Sequence, residues 1–173
     1  MKIEVTQATF QEKAILRNLM QLYLYDFSEM DGNSVGDSGL FDYRYLDLYW
    51  TEPDRYPFLV RVDSQLAGFA LLRRGTYFSE QEALGQTVMM VSEFFVMRKF
   101  RRLDVGSQVA RLIFDRFPGR WEIAQKPENK IGQAFWRALI AGYTKGDYRE
   151  VFLDNAQWHG PVQVFDNSNF PVK

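Results

Sequence analysis

The sequence predicts a mixed α/β (α+β) fold: a largely antiparallel central sheet of six to seven strands, flanked by about four helices, with a parallel strand pair at the centre. Three observations predict it. Apolar runs follow one another with no helix between them over residues 56–72 and again towards the end of the chain, which suits antiparallel pairing. In the middle, an apolar strand leads through a basic turn into an amphipathic helix and then a further strand, the order of a parallel pair. No repeat, low-complexity tract or internal linker interrupts the 173 residues, so residues 1–173 read as a single domain with a sizeable core.

Each element has its own warrant. Lys2 to Thr6 alternates and predicts a first strand. Thr9-Phe10-Gln11-Glu12 has the form of a capping box, in which hydroxyl and carboxylate satisfy the free amides of a helix start. Ile15, Leu19, Leu22, Tyr23 and Phe27 then form an apolar stripe, predicting a first helix to about Asp26. Asp31 to Gly39 is rich in glycine and polar residues and reads as a loop. Phe41 to Trp50 is aromatic-rich and predicts a second helix, stopped by Pro53. Tyr56–Val62 and Leu66–Leu72, separated by Asp63-Ser64-Gln65, read as a hairpin.

Thr87 to Met97 is rich in β-branched, aromatic and Met side chains and suits a buried strand. Val105, Val109, Leu112 and Ile113 fall on one face of the helix that follows it. Phe117-Pro118-Gly119-Arg120 breaks the chain before a short strand, Trp121–Gln125, and Lys126–Asn129 is a turn. Ile131, Phe135, Leu139 and Tyr143 mark one face of a last helix, and Glu150–Asp154 and Val162–Phe165 a final antiparallel pair.

Composition narrows the chemistry. With 46% hydrophobic and 25% charged residues the chain is ordinary for a soluble protein. The absence of cysteine excludes disulfides, thiolate metal sites and cysteine nucleophiles, and the single histidine, His159, does not build a histidine-rich metal site. No metal is expected. No Gly-x-Ser-x-Gly turn supports a serine–histidine triad. The start of the chain lacks a signal pattern and no window has the apolar length of a membrane span, so a cytoplasmic location and no membrane partner are expected. A net charge of −1 argues against a dedicated nucleic-acid binder. The charges are unevenly placed: from Asp26 to Asp54 eight acidic residues face one basic residue, Arg44, while Arg98, Lys99, Arg101 and Arg102 cluster in the central turn.

A strand feeding a helix through such a turn aims backbone N–H groups and the positive helix end at one spot, which favours an anion, especially a phosphate. Arg101-Arg102-Leu103-Asp104-Val105-Gly106 resembles the acetyl-CoA motif of the GNAT superfamily of N-acetyltransferases, Arg/Gln-x-x-Gly-x-Gly/Ala. Leu66-Ala67-Gly68-Phe69-Ala70 resembles that family's glycine-containing third strand. Asn129, followed by Gly132 and Phe135-Trp136, resembles its later asparagine and aromatic pattern, and the order of elements matches over nearly the whole chain. The resemblance implies a GNAT-like fold and an acetyl-CoA donor wrapped by residues 101–107, Ser107 included. It also implies that the backbone of Phe95, Val96 and Met97 pairs with the pantetheine arm like an added strand. Arg101 and Arg102 would neutralise phosphate charge, with Asn129 and Trp136 also beside the donor. The sequence departs from the pattern twice: Asp104 stands at the first motif glycine, and Trp136 where the family often has a tyrosine proposed to protonate the leaving thiolate.

Acetyl transfer to an amine needs a base for the amine, a polarised thioester carbonyl and a proton for the thiolate. Glu93, on the central strand, is the candidate base, and a backbone N–H near Phe95–Met97 the candidate oxyanion donor. With an indole at position 136, either Tyr143 or Tyr148 is the alternative acid, or solvent supplies the proton. The aromatic, acidic segment from Tyr25 to Asp54 would face the acceptor, with Tyr25, Tyr43 and Tyr45 as candidate contacts to a cationic amine. The expected partners are acetyl-CoA and an amine of a small molecule or peptide, and a homodimer is compatible with this reading. Asp104 and Trp136 leave open a second reading, a non-catalytic CoA-binding or regulatory module of the same fold.

Overall fold

The computed structural model describes residues 1–78 and 88–170; Thr87, the expected start of the central strand, lies outside them. The elements are β1 (Ile3–Gln7), α1 (Lys13–Asp31), β2 (Arg55–Val62), β3 (Gln65–Arg74), β4 (Val88–Val96), α2 (Val105–Arg116), β5 (Arg120–Ala124), α3 (Lys130–Thr144), β6 (Arg149–Asp154) and β7 (His159–Asp166). The strands form one seven-stranded sheet in the order β1-β2-β3-β4-β5-β7-β6. β1 runs antiparallel to β2, as β7 does to both β5 and β6, while β4 and β5 are the parallel pair. The hairpin between β2 and β3 turns through Asp63 and Ser64, at φ of 46° and 65°. Two left-handed central residues are the signature of the turn whose twist matches that of paired strands.

Three α-helices are present among the described residues, against about four expected. The difference is Phe41–Trp50, where only Leu46–Trp50 is helical, and it is a tight 3-10 turn. Its buried residues, Leu46 and Tyr49, lie three apart, the spacing of the tighter helix, and Pro53 follows before another turn could form. Helix α1 behaves in the opposite way and passes the expected Asp26 to reach Asp31. Nothing in Phe27–Met30 breaks it, and Gly32 at φ 66° ends it in the left-handed conformation that glycine takes at little cost. The capping box at Thr9–Glu12 forms as the sequence predicts.

The backbone contacts divide the chain into two compact units, residues 1–71 with 93–106 and residues 72–92 with 107–173. In the first, Leu16, Leu19, Met20 and Tyr23 of α1 pack on Leu59, Phe69, Leu71 and Phe95 of the strands. The α1 stripe is therefore turned from the expected one: Leu22 is exposed, and Leu16 and Met20 take its place in the core. In the second, Trp121 of β5 is fully buried, parallel to its strand partner Phe165 and edge-on to Phe114 of α2. Leu112 and Ile131, both expected on buried faces, are exposed, because Ala110 and Phe114 fill the α2 face and Gln133, Trp136 and Ile140 the α3 face.

Gly68 positions the end of β4. A Cβ built on it would lie 1.9 Å from the carbonyl oxygen of Phe95, so β3 and β4 approach there as only glycine allows. Gly68→Ala is expected to force the strands apart and cost about 2–3 kcal/mol or more of stability, read by urea unfolding; a loss below about 0.5 kcal/mol would show that the two strands part freely.

Candidate active site

The first unit brings a carboxylate and two phenols together. Side chains alternate along β4, so Glu93, Phe95 and Met97 share one face. Phe95 and Met97 belong to the cluster that α1 packs against, and Glu93 is carried to the same side. There Glu93 Oε2 accepts from the Tyr23 hydroxyl at 2.5 Å and Oε1 from the Tyr43 hydroxyl at 3.0 Å. Glu93 is thus met by hydroxyls from α1 and the 41–50 segment, in addition to its Phe94 and Phe95 neighbours. Burial, reinforced by the negative charge of Glu93, pushes both phenols above their ordinary range, well above it for Tyr23. Both remain protonated donors at neutral pH.

Tyr23 was legible only as an apolar stripe residue. Its ring does pack, edge-on to Phe69 and Phe95 and against Phe27, while its hydroxyl reaches past them to the carboxylate. Of the three tyrosines expected to meet an acceptor, Tyr43 touches Glu93, and Tyr45 stacks edge-on to Tyr43 while accepting a hydrogen bond from Arg44. Tyr25 is 66% exposed on α1.

The basic turn is held by an acid that sequence reasoning did not single out. Asp26 lies one turn beyond Tyr23 on α1 and accepts from Arg98 Nη2 at 2.8 Å through one oxygen and from Arg101 Nη2 through the other. Its side chain is 17% exposed, against 76% and 42% for the two arginines. Burial raises the Asp26 carboxyl, but the hydrogen bonds from Arg101 and Arg98 outweigh it and hold the group below the usual carboxylate range. Arg101 also donates from Nε to the carbonyl of Val96 at 2.7 Å. Arg101, expected to meet phosphate, is therefore engaged within the chain. Arg102 is exposed and makes no ion pair among the described residues.

Of the backbone expected to pair with an extended ligand, Met97 is already used: its N–H donates to Ala67 at 2.8 Å. Strand alternation turns the Phe95 groups the same way, towards β3, and the Val96 groups outward. β4 registers with β5 through Val88, Met89 and Met90, and Val96 lies six residues past that register. Beyond it Arg102 and Asp104 both take left-handed φ, 60° and 59°. Asp104 therefore adopts the conformation for which a glycine is usual, one that Asp tolerates better than most residues. Leu103 is exposed and Val105 buried, and Gly106 and Ser107 are half-buried in the first turn of α2.

The remaining candidates belong to the second unit. Asn129 caps α3, its Oδ1 accepting from the Gly132 amide at 2.8 Å. Trp136 is buried and packs against Phe114 and Phe135. Tyr143, expected as an acid, is instead tied down. Its hydroxyl donates to Asp115 at 2.7 Å and accepts from Asn167 at 3.1 Å, amid Phe114, Phe165 and Phe170. Burial and the Asp115 carboxylate push it up to about 12, the wrong direction for giving up a proton. Position 143 ends α3, and the period of the helix carried no sign of that partner. His159 is exposed, beside Asp154 at 3.0 Å and edge-on to Phe152. Among the described residues no group of three or more His, Cys, Asp or Glu side chains could hold a metal ion, and no helix is long and apolar enough to cross a membrane.

Residues 16–142 match the model of the acetyltransferase (GNAT) family. No curated protein matches the sequence. Solved structures share the fold. An acetyltransferase from Thermus thermophilus aligns with a TM-score of 0.64 at 16% identity, over 96% of this chain and 97% of its own. The PaiA N-acetyltransferase of Thermoplasma acidophilum, in complex with coenzyme A, aligns at 0.58 and 10%, over 96% and 99%. AAC(6')-Iy, in complex with the bisubstrate analogue CoA-S-monomethyl-acetylneamine, aligns at 0.56 and 18%, over 80% and 90%.

Two outcomes are expected from this geometry. Tyr143→Phe should cost roughly 1–3 kcal/mol of stability by removing a hydrogen bond to a carboxylate, seen in thermal melts, with turnover unchanged; a large loss of rate would restore Tyr143 as an acid. Because the Asp26 carboxyl is lowered in the folded state, its contribution to stability is present above its unfolded value of 3.8 and is lost as pH falls through the lower folded one. Asp26→Asn should therefore flatten the stability curve below about pH 4 in acid titrations of unfolding; an unchanged acid limb would contradict the pairing.

Proposed function

The chain belongs to the GNAT acetyltransferase family, and from that premise we propose that it is an acetyl-CoA-dependent N-acetyltransferase, one domain over its 173 residues, moving an acetyl group directly to a primary amine of a small molecule or peptide. Members of this family are acyltransferases, and its structural relatives bind CoA. The observation that carries the finer reading is the Glu93 carboxylate, bonded through both oxygens to Tyr23 and Tyr43 and located on the strand that leads into the basic turn.

The residues present fit the donor. CoA is an extended molecule with amides in its arm and phosphates at its far end. The outward backbone of Val96 suits the amides, and exposed Arg102, the left-handed turn and the first amides of the 12-residue α2 suit the phosphates. Acetyl-CoA supplies an acyl carbon activated as a thioester. Everything else falls to the chain. Glu93 attracts the ammonium form of the acceptor and receives the proton that the amine loses, directly or through a water. Tyr23 and Tyr43 fix the carboxylate's orientation. Tyr45 already has the Arg44 guanidinium over its ring, 4.7 Å from the centroid, and its neighbour Tyr43 is the ring left to meet a cation. Tyr148 or water provides the proton for the departing sulfur, because Tyr143 is occupied and Trp136 has no usable acid.

Calorimetry with acetyl-CoA is the first check: no binding at high micromolar concentration removes the reading. Glu93→Gln should then bind acetyl-CoA as the parent does while thiol release with a reactive amine falls by about 10²-fold or more. Equal turnover would clear Glu93 of the role. Thiol release with no member of a broad panel of amines, despite tight CoA binding, would favour the non-catalytic module.

A further inference from the structure

The Asp26–Arg101–Val96 arrangement has a role that neither packing nor phosphate neutralisation accounts for. Three facts converge on it. The Val96 carbonyl lies past the β5 register, on the outward side of β4, and is the backbone acceptor that an added strand would use. Its present partner is a side chain, Arg101 Nε at 2.7 Å, so a donor amide approaching along the strand meets that guanidinium at the carbonyl. That guanidinium is anchored by Asp26 of α1, a less exposed carboxylate that also holds Arg98.

We propose that Arg101 is a placeholder for the donor at the edge of β4 and that Asp26 is the positioning residue that holds it there, so that the two together set the affinity for CoA by competition. The proposal rests on the donor reading above and adds to it a residue, Asp26, outside the turn. Arg101 Nε satisfies the Val96 carbonyl, and Asp26 neutralises two arginines that would otherwise repel each other. An amide of the donor arm then replaces Arg101 Nε on Val96, one N–H···O bond for another. Arg101 has to swing away, and its bond to Asp26 is strained or broken as it does so. The anchor carries this consequence into the acceptor side, because Asp26 and Tyr23 are one turn apart on α1 and Tyr23 holds Glu93.

The test uses CoA itself, which binds without turnover, and two readouts. The first is the Arg101 Nε–H signal by NMR in the full chain: it should be protected from solvent exchange in the free protein and lose that protection as CoA saturates. The second is calorimetry on Asp26→Asn, which should bind CoA roughly 2- to 10-fold more tightly than the parent at low salt, since a competing ion pair is gone. That advantage should shrink at high salt as the pair is screened in the parent. Equal or weaker binding by Asp26→Asn, or an Arg101 Nε–H that stays protected at saturation, overturns the placeholder while leaving the donor reading intact. Failure of both proteins to bind CoA overturns the donor reading and the placeholder with it. The NMR measurement on the parent decides the matter even if the variant does not fold.

Discussion

The first unit is organised around one constraint: a carboxylate on a strand inside an aromatic cluster must have its hydrogen bonds supplied. Glu93 is half-buried, so its carboxylate loses part of its water and must find hydrogen bonds within the chain instead. Glu93 meets the constraint with two phenols from separate stretches of chain, Tyr23 on α1 and Tyr43 beyond the long polar loop. That requirement fixes the rotation of α1 over β4, because Tyr23 must pack its ring on Phe69 and Phe95 while its hydroxyl reaches the strand. It also explains why the 41–50 segment, short of a full helix, is nonetheless held against the core by Leu46 and Tyr49.

The rotation of α1 has a second effect, since it brings Asp26 to the arginines. Residues 19, 23 and 26 share a helix face, and whatever turns Tyr23 towards Glu93 turns Asp26 towards the basic turn. The Tyr23–Glu93 bond and the pairing of Asp26 with the arginines are therefore not independent features. They arise at successive positions on one helix, and a change in the packing of Leu16 or Met20 reaches both.

The elements were largely legible because they depend on local pattern. The capping box at Thr9, the hairpin at Asp63, the parallel step from β4 to β5 and the terminal antiparallel pair all follow from short-range rules. Glu93 was legible as a candidate because a charged residue is conspicuous in an apolar strand. What surrounds it was not. Tyr23 looked like core since its ring is core, and nothing local says that a hydroxyl 70 positions from Glu93 in the chain will meet it. Asp26 was counted as one of many acids for the same reason. Helix faces were misjudged where two apolar choices compete, as with Leu22 against Leu16 or Ile131 against Trp136; tertiary packing decides there, and periodicity alone leaves about a third of a turn undetermined. The bond between Tyr143 and Asp115 was not legible because Asp115 sits on another helix.

The left-handed turn at Arg102 and Asp104 bears on how such chains are to be recognised at all. What that segment adopts is a left-handed dihedral angle, for which glycine is only the least costly residue. An aspartate reaches the same angle at a penalty of about 1–2 kcal/mol or less, a sum a domain of this size can absorb. The segment therefore keeps the course of its backbone without the residue that most readily supplies it.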